Sequence, residues 1–320
     1  MSLPPVLQGR LSLPVIGSPL FIVSNPELTL AQCRAGIVGA FPSLNARPLP
    51  QLEEWLDRLT RELSPMDAPF AVNLIVHRSN DRLLDDLKLC VDFRVPVVIT
   101  SLGARADVND AIHSYGGIVL HDVINDRFAR KAVEKGADGL ILVAAGAGGH
   151  AGTLSPFALV QEVRAWFDGP LALSGAIATG DAILAAQAMG ADLAYIGSAF
   201  IATSEARADE RYKRMIVESA AEDIVYSSLF TGVHGNYLKA SIRAAGLDPD
   251  ALPEADPSAM NFGAGREAKA WRDIWGCGQG IGAVRAVVPA AELVARLRRE
   301  YDAARARLLG EGAGLVRAAE

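Results

Sequence analysis

The stretch GLILVAAGAGGHAGT, residues 139–153, decides how this chain is read. Its first part is a short apolar run bounded by glycine, the pattern of a strand buried on both faces. Its second part sets four glycines around one histidine, His150. Ser155-Pro156 follows and reads as a helix start, because a proline at the first helical position lacks an N–H that would have no partner there anyway. His150 is therefore expected in a loop between the carboxyl end of a buried strand and a helix, where α/β folds carry their chemistry. Most single histidines are surface or satisfied polar residues. Bare backbone on both sides of one imidazole points instead to close approach of a ligand.

The same alternation of strand and helix recurs outward from this stretch. Candidate strands are residues 13–20, 37–41, 70–76, 97–101, 118–122, 139–144, 170–175 and 193–197, separated by amphipathic segments. Asn25-Pro26-Glu27 reads as a cap, first helical residue and acidic first turn. In residues 48–63, Leu52, Trp55, Leu56, Leu59 and Leu63 fall on one helical face. Asp107 and Thr179 are candidate caps, and Gly190 is a candidate stop. VPVVIT and LILVA lack apolar/polar alternation, as parallel strands covered by helices do. Eight β-α units in succession predict an α/β fold, a (β/α)8 TIM barrel over residues 1–203. A doubly wound sheet is the alternative, although no GxGxxG follows the first strand.

After residue 203 the rhythm changes. SEARADERYKRMIVESAAED reads as an exposed helix, Gly, Pro, Asp and Asn gather in residues 246–265, and a last helix opens at Pro289. Residues 204–320 are expected to form an appended C-terminal helical portion packed on the barrel, either a lid or the contact of a homodimer.

The chain has 320 residues, 50% hydrophobic and 21% charged, and a net charge of −6 that argues against nucleic acid as a partner. Cys33, Cys90 and Cys277 are scattered without metal-binding spacing, which with no signal-like N-terminus suggests a reducing, cytoplasmic setting. No apolar run reaches the roughly 18 residues of a membrane span.

Two further strand ends carry weight. Ser174-Gly175-Ala176 closes the seventh candidate strand, and Gly197-Ser198 closes the eighth. Barrels often hold a phosphate where these two loops meet a helix start, because glycine exposes backbone N–H groups and serine adds a donor.

The set AGAGGHAG, LSGAI with a following Gly-Asp, and YIGSAF, in that order, resembles the nitronate monooxygenase family, FMN-dependent (β/α)8 barrels. FMN-dependent enoyl-ACP reductases and NADH:quinone reductases resemble them too. The likeness covers residues 13–203, with a weaker echo in CGQGIGAV (277–284). It implies FMN as cofactor and His150 as the active-site histidine, a base toward the substrate's α-proton. Gly148 and Gly149 match backbone contacts to the cofactor, with Gly146 counted in the same loop. Gly175 and Ala176 match a phosphate-cradling Gly-Gly pair, and Gly197 and Ser198 a Gly-Thr pair. Asn73 matches a strand-three asparagine that reaches the flavin, and Ser18-Pro19-Leu20 a backbone segment beside the isoalloxazine. Gln279 is expected close to the flavin. Some relatives place a lysine on strand five, where this chain offers His121 and Asp122; a protonated His121 would partly replace that charge.

The implied activity is oxidation of an alkyl nitronate with O2. NAD(P)H-dependent reduction of a quinone or enoyl thioester is an alternative, and a flavin-binding protein without turnover a third. Inosine-monophosphate-type dehydrogenases are disfavoured, since they need a cysteine where this chain has His150. His234 reads as a structural loop residue more than a mouth residue, although the segment His234–Tyr237 is expected to help close the pocket. Cys277 reads as a small loop residue, and Trp271 with Trp275 as a packed helix face.

Overall fold

Non-alternating apolar runs become strands when helices cover them outside and inward side chains fill the space they enclose. Eight parallel strands do so here: β1 (Val15–Gly17), β2 (Gly39–Pro42), β3 (Phe70–Ile75), β4 (Val97–Ser101), β5 (Ile118–Val123), β6 (Gly139–Val143), β8 (Leu171–Ser174) and β9 (Leu193–Ile196). A two-residue strand, β7 (Gly149–His150), lies outside this sheet. The computed structural model describes residues 3–230, 232–253 and 274–311. The strands follow one another around the sheet, with β9 paired to β1, and the bridge Ile16–Val38 joins β1 to β2. Gly17 N–H donates to Val38 O (2.7 Å) and Val38 N–H to Val15 O (3.1 Å), so the ring closes into the (β/α)8 barrel.

Side chains alternate between the two faces of each strand. Ile16, Val38, Ala40, Ala71, Val97, Ile99, Leu120, Ile141, Ala172 and Leu193 fill the interior, joined by Leu7 from the N-terminal segment. The opposite residues pack under the helices α1 (Pro26–Arg34), α2 (Leu49–Glu62), α3 (Leu83–Asp92), α4 (Ala106–His113), α5 (Asp126–Glu134), α6 (Pro156–Arg164) and α7 (Gly180–Met189). On α2 the expected stripe of Leu52, Trp55, Leu56 and Leu59 is buried. Asn25 accepts from Leu28 N–H (2.8 Å), Thr179 accepts from Ala182 N–H (3.2 Å), and Gly190 ends α7 with φ +115°.

Two expected caps take other forms. Asp107 sits inside the first turn of α4, bonded to the cap residue Arg105 (3.0 Å). Ser155 stands at the cap of α6 without a side-chain cap bond, so Pro156 alone fits that start.

Beyond α8 (Ser198–Ile201), the C-terminal portion departs from the expected helical reading. It holds α9 (Glu210–Glu218), α10 (Lys239–Ala244) and α11 (Ala290–Glu311), but also the hairpin β10 (Ile224–Ser227) and β11 (Gly235–Leu238). Helix α9 is shorter than its sequence pattern and not simply exposed. Tyr212 and Ile216 are buried, and Tyr212 stacks on Trp275 at 4.9 Å between ring centroids. Trp275 therefore packs on α9 rather than along a helix face; Trp271 lies outside the described residues. No helix among the described residues is long and apolar enough to cross a membrane.

Helix α11 covers α7 and α1. Its Leu293, Val294 and Leu297 are buried against Ile183 and Ala178. Its Glu300 accepts Gly180 N–H (2.9 Å), satisfying an otherwise orphan donor at the start of α7. The two helices touch backbone to backbone at Gly180, where a Cβ would fall on Tyr301 N and Leu297 O. Gly180→Ala should therefore push α11 off the barrel and lower stability by about 1–3 kcal/mol, read as a lower denaturant midpoint in chemical unfolding. An unchanged midpoint would mean that α11 docks loosely.

Candidate active site

A glycine-rich loop has little conformational preference of its own. The loop after β6 is held from outside. Strand β7 within it pairs antiparallel with β11, in the register Gly235–His150 and Asn236–Gly149. Asn236 Nδ2 donates to Ala147 O (2.6 Å), and Tyr226 Oη donates to Ala151 O (2.8 Å). Gln279 N–H donates to Gly146 O (2.8 Å). The C-terminal portion thus fixes the backbone on both sides of His150.

This loop forms one wall of a cavity of about 690 Å3 at the carboxyl ends of the strands, within the size range of small-molecule and cofactor sites. The structure brings Ser18, Pro19, Leu20, Asn73, His121, Gly146, Gly148, Gly149, His150, Ser174, Gly175, Ala176, Gly197 and Ser198 to its lining. Gln279 stays behind the lining: its side chain lies against Gly146, while its neighbours Gly278 and Gly280 reach the wall. Segment 234–237 acts as a brace more than a mouth. His234 is exposed and stacks on Tyr226 at 5.0 Å, and Tyr237 is fully buried.

Several of the glycines serve loop-on-loop contact rather than open backbone. A Cβ at Gly148 would lie 2.7 Å from Gly278 N, one at Gly175 would lie 2.7 Å from Ala145 O, and one at Gly280 would lie 2.8 Å from Ala176 O. Gly149 differs, because a Cβ there would meet nothing within 4 Å. Ala176 holds a left-handed φ of +55°, a conformation glycine adopts at less cost, and its N–H already donates to Gly146 O (3.2 Å). Ser198 Oγ accepts from Gly278 N–H (2.7 Å), which leaves its proton for a ligand.

His121 reaches the cavity lining although it shares the strand phase of the helix-facing residues. His121 pairs in register with Thr100 and Leu140, which belong to the outward face, and its Nδ1 lies 2.6 Å from Thr100 Oγ1. Burial pushes its imidazole down to about 4, toward the neutral form and away from the charge of a lysine. The next residue, Asp122, faces inward instead. Counting in twos from Ile118 and Leu120 would have found it. Asn73 Nδ2 donates to Ile99 O (3.1 Å) and to Ser101 Oγ (2.7 Å), and Ser101 Oγ donates to Asp122 Oδ2 (2.5 Å). The carbonyl of Ile99 fixes the Asn73 amide, leaving Oδ1 as its acceptor on the cavity side. Asp122 lines the cavity half-buried, and desolvation against the barrel wall pushes its carboxyl up to about 6. His150 is half-buried on the cavity wall, and desolvation pushes its imidazole down to about 4. Cys277 is buried with its thiol pushed far up, consistent with an inert loop residue.

The family model described as nitronate monooxygenase matches residues 43–300. The nitronate monooxygenase of Paraburkholderia phytofirmans is 28% identical over 90% of this chain and 92% of its own length. Among solved structures, a nitroalkane oxidase from Streptomyces ansochromogenes superposes with a TM-score of 0.82 at 25% identity, covering 95% of this chain and all of that one. FabK from Thermotoga maritima superposes with a TM-score of 0.78 at 23% identity, over 95% of this chain and 97% of its own.

The buried groups make stability depend on pH. His121 and His150 bind protons in the unfolded chain below about 6.5 but in the folded one only near 4, so acid favours unfolding across that window. Asp122 is held above its ordinary carboxyl range and works in the opposite sense up to about 6, offsetting one of the two. The melting temperature should therefore fall from pH 6.5 to pH 5, and more gently in His121→Gln. Identical pH profiles for the two proteins would contradict the neutral, buried His121.

Proposed function

The chain belongs to the nitronate monooxygenase family of flavin-dependent oxidoreductases, and from that premise we propose that it binds FMN and oxidises alkyl nitronates with O2. The cavity fits this cofactor. Its volume is adequate, Gly149 leaves open space beside the loop, Asn73 Oδ1 is an acceptor suited to a ring N–H, and Ser198 keeps a hydroxyl proton to donate. The loops at Ser174–Ala176 and Gly197-Ser198 would hold the phosphate, and Ser18-Pro19-Leu20 would lie along the ring. When bound, FMN supplies the electron transfer from a carbanion-like substrate and the reaction with O2.

The observation that carries the choice of substrate is the half-buried imidazole of His150 on the cavity wall, its backbone clamped by β11 and its pKa pushed down by desolvation. A neutral imidazole can donate one hydrogen bond to an anionic nitronate oxygen, and an anion beside it would strengthen that bond. As a base it is poorly matched to neutral pH, because a general base works best with a pKa near the operating pH. His150 therefore orients a nitronate that arrives already deprotonated, more than it removes a proton from a nitroalkane.

A second reading, reduction of an acceptor by NAD(P)H, draws support from Arg47 and Lys131, two cations on the cavity wall that suit a phosphorylated co-substrate. Anaerobic mixing separates the two. Propyl nitronate should bleach the flavin, whereas bleaching by NADH or NADPH alone would favour the second reading.

The protein should purify yellow and release FMN, not FAD, on heating. Preformed propyl-2-nitronate should be turned over with a kcat/KM about 100-fold or more above that for neutral 2-nitropropane, the range general-base help usually spans. His150→Asn should keep its flavin and lose turnover of the nitronate. Equal rates on both substrate forms would show that His150 deprotonates efficiently, and a colourless protein that cannot be reconstituted with FMN would sink the assignment.

A further inference from the structure

The hydrogen-bond chain at the barrel mouth ends on a group that the proposed reaction does not use. Asn73 from β3 donates to Ser101 from β4, and Ser101 donates to Asp122 from β5. Because the serine oxygen already accepts from Asn73, its proton is committed to the carboxylate, and the chain has a fixed direction. Oδ2 of Asp122 holds this bond, and the residue lines the same cavity as His150, Ser18 and Asn73. Among the described residues no lysine or arginine forms an ion pair with it. The two cations of the cavity wall are engaged or exposed elsewhere: Arg47 donates to Leu44 O (2.9 Å) and lies over Phe21, and Lys131 is exposed on α5.

The other titratable groups around Asp122 do not offset its charge. Tyr195 enters from β9, and burial keeps its hydroxyl protonated well above neutral pH. His150 is neutral above about 4. His121, on the same strand, is buried with its Nδ1 against Thr100 Oγ1, and burial holds it toward the neutral form. A half-buried carboxyl with a single serine donor and no counter-cation is disfavoured in its ionised form. Its negative charge is therefore felt across the cavity at low effective dielectric.

We propose that Asp122 sets the reduction potential of the flavin held in this cavity, its carboxylate opposing the negative charge gained on reduction. The inference rests on the proposed FMN site and adds a role for a residue that site does not need for binding. Ser101 acts through Asp122 as a positioning residue, stabilising the ionised form by its hydrogen bond. The effect is to hold the bound cofactor at a lower potential, favouring passage of electrons onward to O2.

The test is the midpoint potential of FMN bound to the wild-type protein, Asp122→Asn and Ser101→Ala, measured by spectroelectrochemistry in steps from pH 8 to pH 5. At pH 8, Asp122→Asn should raise the preference for reduced over oxidised flavin about tenfold, the scale of one nearby like charge, or about 30 mV for a two-electron couple. At pH 5 the wild-type carboxyl takes up a proton and the difference should collapse. Ser101→Ala removes the donor to the ionised form, so its potential should break from the variant's line at a higher pH than wild type. If Asp122→Asn fails to fold, that displaced break still supports the role, and an unmoved break overturns it. Equal potentials at pH 8 with flavin retained, or a shift of the same size at both pH values, would overturn the inference and leave the FMN assignment intact. A chain that holds no flavin would overturn both.

Discussion

The pairing of β11 with two residues of the loop after β6 is the constraint on which the candidate site depends. Four glycines around His150 give that loop a large conformational entropy to lose, and no side-chain packing within the loop can repay it. The ordering comes from outside, through the Gly235–His150 register, the Asn236–Ala147 bond, the Tyr226–Ala151 bond and the Gln279–Gly146 bond. Removing the C-terminal portion would leave the barrel walls but not a defined imidazole. The barrel and the residues after 203 line one cavity.

The same dependence explains the glycines. Gly148, Gly175, Gly278 and Gly280 stand where two loop backbones meet, and any Cβ would force them apart. The loops after β6, β8 and β9 and the segment around Gly278 therefore close on one another as a ring of backbone contacts. Ser198 joins that ring by accepting from Gly278 N–H. A rigid ring of this kind can present polar groups to a ligand without reorganising, which is how an enzyme site holds its geometry through a reaction.

Electrostatics inside the ring follows from burial. His150 and Asp122 both line the cavity, and both are shifted toward their neutral forms because partial burial penalises the charged form. The imidazole becomes a hydrogen-bond partner more than a proton acceptor. The carboxyl gains a sensitivity to the charge state of whatever lies beside it.

Much of this molecule is legible in its residue order, for local reasons. Non-alternating apolar runs mark helix-covered strands, and Asn25, Thr179 and Gly190 mark helix ends, because each acts within a few residues. The placing of the strand-end loops at one cavity follows from barrel topology alone. What the sequence could not decide was set by contacts between distant segments. Pairing of β11 with β7 joins residues far apart in the chain, so the hairpin in a portion read as helical emerged only in three dimensions. His121 and Asp122 differ by one position and face opposite sides of β5; side chains alternate strictly, and only the barrel says which face is inside. The purpose of the glycines was likewise a tertiary matter, since a close approach of two backbones leaves no mark on either segment by itself.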